Sequence, residues 1–366
     1  MLLILKRPDG NRELLHCSPS LHSGRDMPAH RNELSMTSGP VFARYPNPLL
    51  LLILFGLLAM GSLFTGLLFG SVHIPVSSVV QALLSSTESI SHQIIWQLRL
   101  PRVLAAFACG GLLALAGTLL QVLLRNPLAD PYILGVSGGA AVGALLAMLL
   151  GWGILLTNLT SLAGALAAVA IVFGLSFRAG NWNLYRLLLT GVVLSAGCGA
   201  LTTLILTLAP ASNVKGMLFW LMGDVSRAEE PLPAWITLIL ISTVSLLFSG
   251  SLNVLTLGQM KARTLGVAVL PLQIGIYFCA SLATVAALML AGVIGFVGLI
   301  VPHAVRLLGV SNFRWLLLLA VLLGGSFLTL ADTLARTLWA PQQLPVGVLT
   351  ALLGVPMLLL LLSRKP

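Results

Sequence analysis

The sequence predicts an all-α polytopic membrane protein with about ten transmembrane helices, and three observations carry that expectation. Of its 366 residues, 58% are hydrophobic and only 8% charged, where a soluble domain carries roughly 25% charged residues. Two stretches, Pro131 to Phe177 and Leu187 to Val214, hold no charged residue at all, and each exceeds the ~20 residues that one helical crossing of a bilayer requires. Helices satisfy their own backbone hydrogen bonds, so they alone, closed barrels apart, tolerate apolar side chains all round in hydrocarbon.

The elements follow from apolar run length broken by charge, Pro and Gly. Residues 1–44 are polar, mixed in charge and rich in Ser, Pro and Arg. They read as a cytoplasmic, disordered tail, and their apolar start is too short for a secretory signal core. Met27 and Met36 are alternative starts to Met1. A ten-helix transmembrane domain is expected over 45–366, with spans near 49–70, 102–124, 133–151, 159–177, 185–208, 234–249, 270–291, 296–310, 315–338 and 346–362.

An even number of spans puts both termini on one side. With the tail inside, fifteen Lys and Arg fall in the cytoplasm and five outside, namely Arg99, Arg102, Lys215, Arg227 and Arg336; without the tail the count is nine against five. The positive-inside rule therefore sets both termini in the cytoplasm. The net charge of +10 comes from basic residues scattered singly between apolar runs, a pattern of topology rather than of nucleic-acid binding. Cys17, Cys109, Cys198 and Cys279 lie far apart without CxxC spacing, which supports neither a disulfide framework nor a zinc site.

Small residues mark helix faces. Gly135, Gly139 and Gly143 recur at intervals of four and continue to Ala147 and Gly151; Gly191, Ser195, Gly199 and Thr203 repeat the device, as do Gly110, Ala114 and Thr118. Such ladders let helices approach closely, and the second reading is that some of these faces line a wide passage.

An ordered series of motifs is more specific. Arg99-Leu100-Pro101-Arg102 precedes the second span, Arg125-Asn126-Pro127-Leu128-Ala129-Asp130-Pro131 closes it, and Leu134-Gly135-Val136-Ser137-Gly138-Gly139 opens the third. Leu257-Gly258-Gln259, Ala262-Arg263 and Leu265-Gly266 follow, then Ile294-Gly295-Phe296-Val297-Gly298 through Pro302-His303 with Arg306, Ala331-Asp332-Thr333 with Ala335-Arg336, and Leu344-Pro345-Val346-Gly347. In this order the series resembles the iron-chelate and cobalamin permease family of ABC importers, from about residue 49 to the carboxy terminus.

That resemblance implies a homodimer of ten-helix subunits, two cytoplasmic ATPase subunits, a periplasmic binding protein and a metal-chelate substrate such as a ferric siderophore, cobalamin or haem, in a bacterial inner membrane. It implies that Arg99, Arg102 and Arg336, exposed on the outer face in this topology, pair with carboxylates of the docking protein; for Arg336 a helical pair with Asp332 is the competing reading, and for Arg99 and Arg102 interfacial anchoring. Residues 250–267 resemble the coupling segment that seats in the ATPase, with Leu257, Gly258, Gln259, Lys261, Ala262, Arg263, Leu265 and Gly266 as its contact set; Gln259 stands where the family often has an acid. The loop from Ala179 to Arg186 matches the cytoplasmic gate, but Trp182 and Tyr185 are bulkier than the small polar residues expected there. His303 and Arg306 share a helix end and are open to a structural or a functional role.

No cofactor or metal is expected. The sequence contains no GxxxxGK[ST] loop, so ATP hydrolysis falls to a partner and the chain is not itself an enzyme. An ion-coupled secondary transporter is the main alternative, disfavoured because Asp130 and Asp332, the only span-adjacent acids, lie at span ends. An intramembrane enzyme would need a nucleophile with its base, a metal set or paired carboxylates, and no such set is legible.

Overall fold

The computed structural model describes residues 47–363 except 73, 85–88, 179–180 and 229. The expected 1–44 tail lies outside the described residues. The chain is all-α: α1 (Pro48–Leu68), α2 (Val76–Leu84), α3 (Ile90–Gln93), α4 (Leu100–Leu124), α5 (Val136–Leu149), α6 (Ile154–Ser176), α7 (Leu184–Leu208), α8 (Ala211–Met222), α9 (Leu232–Leu247), α10 (Ser249–Thr256), α11 (Gln259–Thr264), α12 (Val269–Ala291), α13 (Val297–Leu307), α14 (Phe313–Thr337) and α15 (Val346–Ser363). The one extended pairing among the described residues is a two-residue antiparallel ladder, β1 (Phe177–Arg178) with β2 (Asn181–Trp182).

Six of these helical stretches are long and apolar enough to cross a membrane, the bent pair α9–α10 makes a seventh, and α5, α13 and α15 are shorter apolar helices. Each of the ten expected spans coincides with one of them. α4 forms the axis of the bundle. It packs against α1, α9, α12, α13 and α14, and 94% of its apolar window is buried, against 28% for α1 and 17% for α7. Small residues make this centre possible, since a Cβ on Gly117 would strike the carbonyl of Gly298, and one on Gly110 that of Gly324. Backbones at such separation hold by dispersion and packing rather than by a hydrophobic drive, which lipid does not supply.

Three features depart from the sequence reading. The second span begins near residue 90 rather than 102, because a π-helical turn over Ile94–Arg99 joins α3 to α4. Leu100 donates to Ile95 O there, and the wider register accommodates Pro101, which has no N–H and sits at the start of α4. Helices α2 and α8 fall in expected connections: α2 is a short element packing Val79 and Ala82 against Ile74 and Ile95, and α8 starts straight after Pro210. The ladder from Gly135 to Gly151 is not one helical face either. Gly135 lies outside the helix at its N-cap with φ +76°, Gly151 follows the C-terminus with φ +70°, and of its glycines Gly139 and Gly143 press on α6, at the carbonyls of Gly164 and Thr160.

Candidate functional site

Two clusters lie at opposite ends of α4, which at 1.5 Å per residue puts Arg102 and Arg125 about 35 Å apart. At the first, α1 ends at Leu68, leaving four carbonyls without helical partners. Thr65 O accepts from the Phe69 N–H at 2.9 Å. Gly66 O accepts from Arg336 Nη2 at 2.6 Å, and Leu67 O and Leu68 O accept from Arg99 Nη1 at 2.7 and 2.8 Å. Arg99 Nη2 also donates to Val72 O. Two cations thus stand at the negative end of the α1 dipole and close its carbonyl set.

Arg102 grips Asp332 with two nitrogens, Nη2 to Oδ1 at 2.8 Å and Nε to Oδ2 at 3.0 Å, and its Nη1 reaches Gln343 at 2.8 Å. Arg336 Nε lies 3.7 Å from the same carboxylate, the i,i+4 pair of the competing sequence reading. The exposure expected of these arginines is corrected here. Arg99 and Arg336 are each 4% exposed, Asp332 is 1% exposed, and only the Arg102 side chain, at 12%, keeps an outward edge. Sequence periodicity missed this because the acceptors are remote in the chain: backbone carbonyls of residues 66–72 for Arg99 and Arg336, and the Asp332 carboxylate for Arg102.

At the other end, α10 and α11 form a two-step elbow. α9 and α10 bend by 66° at Phe248-Ser249-Gly250, a Ser/Gly site where kinks concentrate. Gly258 holds φ +110° between α10 and α11, a backbone that L side chains rarely adopt. Leu252, Leu255 and Ala262 are buried and anchor the elbow, while Leu257, Met260 and Leu265 are exposed, as are Lys261 and Arg263. Asn253 Oδ1 accepts from the Phe313 N–H at 2.7 Å, tying α10 to α14. A Cβ on Gly258 would lie 3.5 Å from the Arg125 guanidinium, so the Arg125–Pro131 motif meets the elbow in space.

Between these ends, the backbone breaks over 292–296, with Gly292 at φ +67° and Phe296 at φ +71°. Polar groups at its edge and within it are met by neighbours: the Asp224 N–H donates to Ala291 O, at the end of α12, at 2.8 Å, and the Ile294 N–H to the Tyr132 hydroxyl at 3.1 Å. A cavity of about 590 Å³ opens beside the break, lined by Met222, Val293, Gly295, Gly347, Val348 and Ala351. Irregular backbone at membrane depth is tolerated where it lines such a space.

The remaining sequence-singled residues scatter. Gly191 abuts the Ile133 carbonyl, whereas a Cβ on Gly199 meets nothing within 4 Å, and Ser195 is half-buried. Trp182 of the gate-like loop packs edge-on against Tyr277 and Phe173, at ring separations of 5.6 Å each. His303 is partly buried, its Nδ1 without a partner. Among the described residues no three His, Cys, Asp or Glu side chains gather as a metal set, and Cys109, Cys198 and Cys279 are free thiols.

The profile of the FecCD transport family matches residues 53–364. The chain belongs to the FecCD transport family. Among FecCD-related proteins it is similar to the hemin transport system permease protein HmuU of Yersinia pestis, 40% identical over 86% of this chain and 94% of that one. It is also similar to the vitamin B12 import system permease protein BtuC of Pectobacterium atrosepticum, 39% identical over 74% and 82%. A solved transporter described as of the metal-chelate ABC type, in an inward-facing conformation, superposes with a TM-score of 0.78 at 31% identity, covering 87% of this chain and all of that one. FecCD membership and the apolar helices make the chain a multi-pass transport subunit of the bacterial inner membrane.

Proposed function

We propose that this chain is the membrane-spanning permease of an ATP-driven importer that moves a metal chelate, a ferric siderophore, cobalamin or haem, from periplasm to cytoplasm. It works as a homodimer with two cytoplasmic ATPase subunits and a periplasmic binding protein, with both termini inside. The observation that carries the reading is the elbow over 250–267: its exposed Leu257, Met260 and Leu265 stand on a turn anchored by buried Leu252, Leu255 and Ala262, as a surface that transmits force to a partner must. Hydrolysis belongs to that partner.

The opposite end supports docking in modified form. Arg102 alone offers an outward edge, and Arg99 and Arg336 hold the α1 terminus beneath it. The apolar wall of the 590 Å³ cavity contributes few polar groups, so selectivity falls to the binding protein. The exposed face of α7 is rich in small residues, Gly197, Gly199 and Ala200 among them, which suits a second copy or a shared passage better than lipid. An ion-coupled carrier is less well supported, since Asp332 is already held by Arg102.

The test is reconstitution with the cognate ATPase in liposomes. ATP hydrolysis should depend on this subunit and fall at least tenfold in the double variant Leu257→Asp, Met260→Asp while the helical bundle stays folded. Unaltered hydrolysis, or chelate uptake without any ATPase, would overturn the reading.

A further inference from the structure

A cavity of about 280 Å³ sits between the α9–α10 bend and the first half of α12, walled by Val244, Phe248, Leu252, Val267, Leu272 and Ile276. It lies where α9, which packs on α12, bends by 66° into α10, and Gly275 leaves space in which an added Cβ meets nothing within 4 Å. Phe248, Pro271 and Gly275 at its lips are exposed. Beyond them stand Leu240 and Leu247 of α9 and Phe278 and Leu282 of α12, all exposed and apolar. The mouth therefore opens on a surface that hydrocarbon covers. At the lower edge of the ~300–1,000 Å³ typical of small-molecule sites, the space is too slight for a metal chelate and suits a slender apolar chain. Lys261 and Arg263 are exposed on α11, which leads through Gly266 into Val267 and Ala268, and no Asp or Glu occurs between Glu230 and Asp332. This corner of the protein is thus electropositive, as a site for an acidic headgroup beside a membrane helix should be.

We propose that the cavity binds one acyl chain of an anionic phospholipid, with Lys261 and Arg263 engaging its headgroup. The binding needs only that the chain lies in a bilayer. Assignment to the cytoplasmic leaflet, and the consequence that the lipid braces the elbow, rest on the function proposed above.

The experiment uses the full chain in nanodiscs of phosphatidylglycerol or phosphatidylcholine carrying a diazirine at the acyl terminus, with crosslinked peptides mapped by mass spectrometry. Phosphatidylglycerol should label 244–252 and 267–279 above the lipid-facing residues of α1, and Gly275→Leu, which fills the space, should cut that labelling roughly tenfold, equivalent to about 1.4 kcal/mol, while leaving α1 labelling unchanged. As a second measurement on the unmutated chain, Cys279, which lines the cavity, should alkylate more slowly in phosphatidylglycerol than after delipidation. Labelling spread evenly over α1, α9 and α12, equal labelling by phosphatidylcholine, or Cys279 reactivity indifferent to lipid would each overturn the proposal. None of these readouts involves ATP hydrolysis, so failure of the coupling assignment would leave them intact.

Discussion

Replacing Asp332 with Ala removes the anion that Arg102 and Arg336 share, and the structure sets the size of the loss. Two parts contribute. The Arg102 side chain is 12% exposed and keeps its 2.8 Å bond to Gln343, so it recovers water in part, and its share falls toward the ~0–1 kcal/mol of an exposed pair. Arg336 is 4% exposed and its Nε has no hydrogen-bond partner. Stripped of Asp332, its charge is left uncompensated, the situation that costs ~3–5 kcal/mol when a buried pair is broken. Arg336 retains the Gly66 carbonyl at 2.6 Å, which places the sum at about 3–4 kcal/mol. Asp332→Asn, which preserves volume and one acceptor, should lose about half of that. The assay is equilibrium unfolding of the purified chain in mixed micelles, with a double-mutant cycle of Asp332→Ala and Arg102→Gln to isolate the pair. A loss below ~1 kcal/mol, or a coupling energy indistinguishable from zero, would refute the claim that this network clamps α1, α4 and α14 together.

Three further outcomes are expected. Arg99→Ala strands the carbonyls of Leu67, Leu68 and Val72 and should cost about 3 kcal/mol, at ~1–3 kcal/mol for each buried group left unsatisfied and partial relief by water; Arg99→Glu should abolish the folded yield in size-exclusion chromatography rather than merely weaken docking. Gly117→Ala drives a methyl into the Gly298 carbonyl and should destabilise by more than ~2 kcal/mol, whereas Gly61→Ala, with nothing within 4 Å, should be neutral or stabilise by up to ~1 kcal/mol in the same melts. Burial raises the Asp130 carboxyl above its ordinary range, against the opposing hydrogen bond from the Tyr132 N–H. A carboxyl raised on folding favours the native state at pH below its unfolded value and loses that contribution as pH rises through the folded one. Asp130→Asn, which keeps the cap on Tyr132, should therefore flatten the pH dependence of the melting temperature between pH 4 and 8 and match or exceed the parent at pH 8.

The order of apolar helices was legible in the sequence because a membrane helix needs a long uncharged run wherever it sits, and each of the ten expected spans coincides with an apolar helix. The elbow was legible too, as a polar interruption with Gly258 and Gly266 at its corners, both at positive φ. The sequence could not say which helix lies at the centre. Core and lipid are equally apolar, so hydropathy reads α1 and α4 alike, and only packing shows that α4 is wrapped on all sides while α1 faces outward. Nor could it reveal α2, which is only nine residues long, or α8, whose short run is broken by Lys215.

The arginines mark the same boundary most sharply. The order of spans places Arg99, Arg102 and Arg336 at one end of the bundle, and charge suggests that they face water. Their fate is decided by partners that no local pattern announces: Arg336 bonds a carbonyl 270 residues away, and Arg102 a carboxylate 230 residues away. A cation in a membrane protein goes where unmet carbonyls and carboxylates are, and those are exposed by the ends of other helices. The sequence by itself determined where the long apolar runs lie, in what order and with what breaks; only the tertiary structure decided which ends meet, and so which charges bind the fold and which remain for a partner.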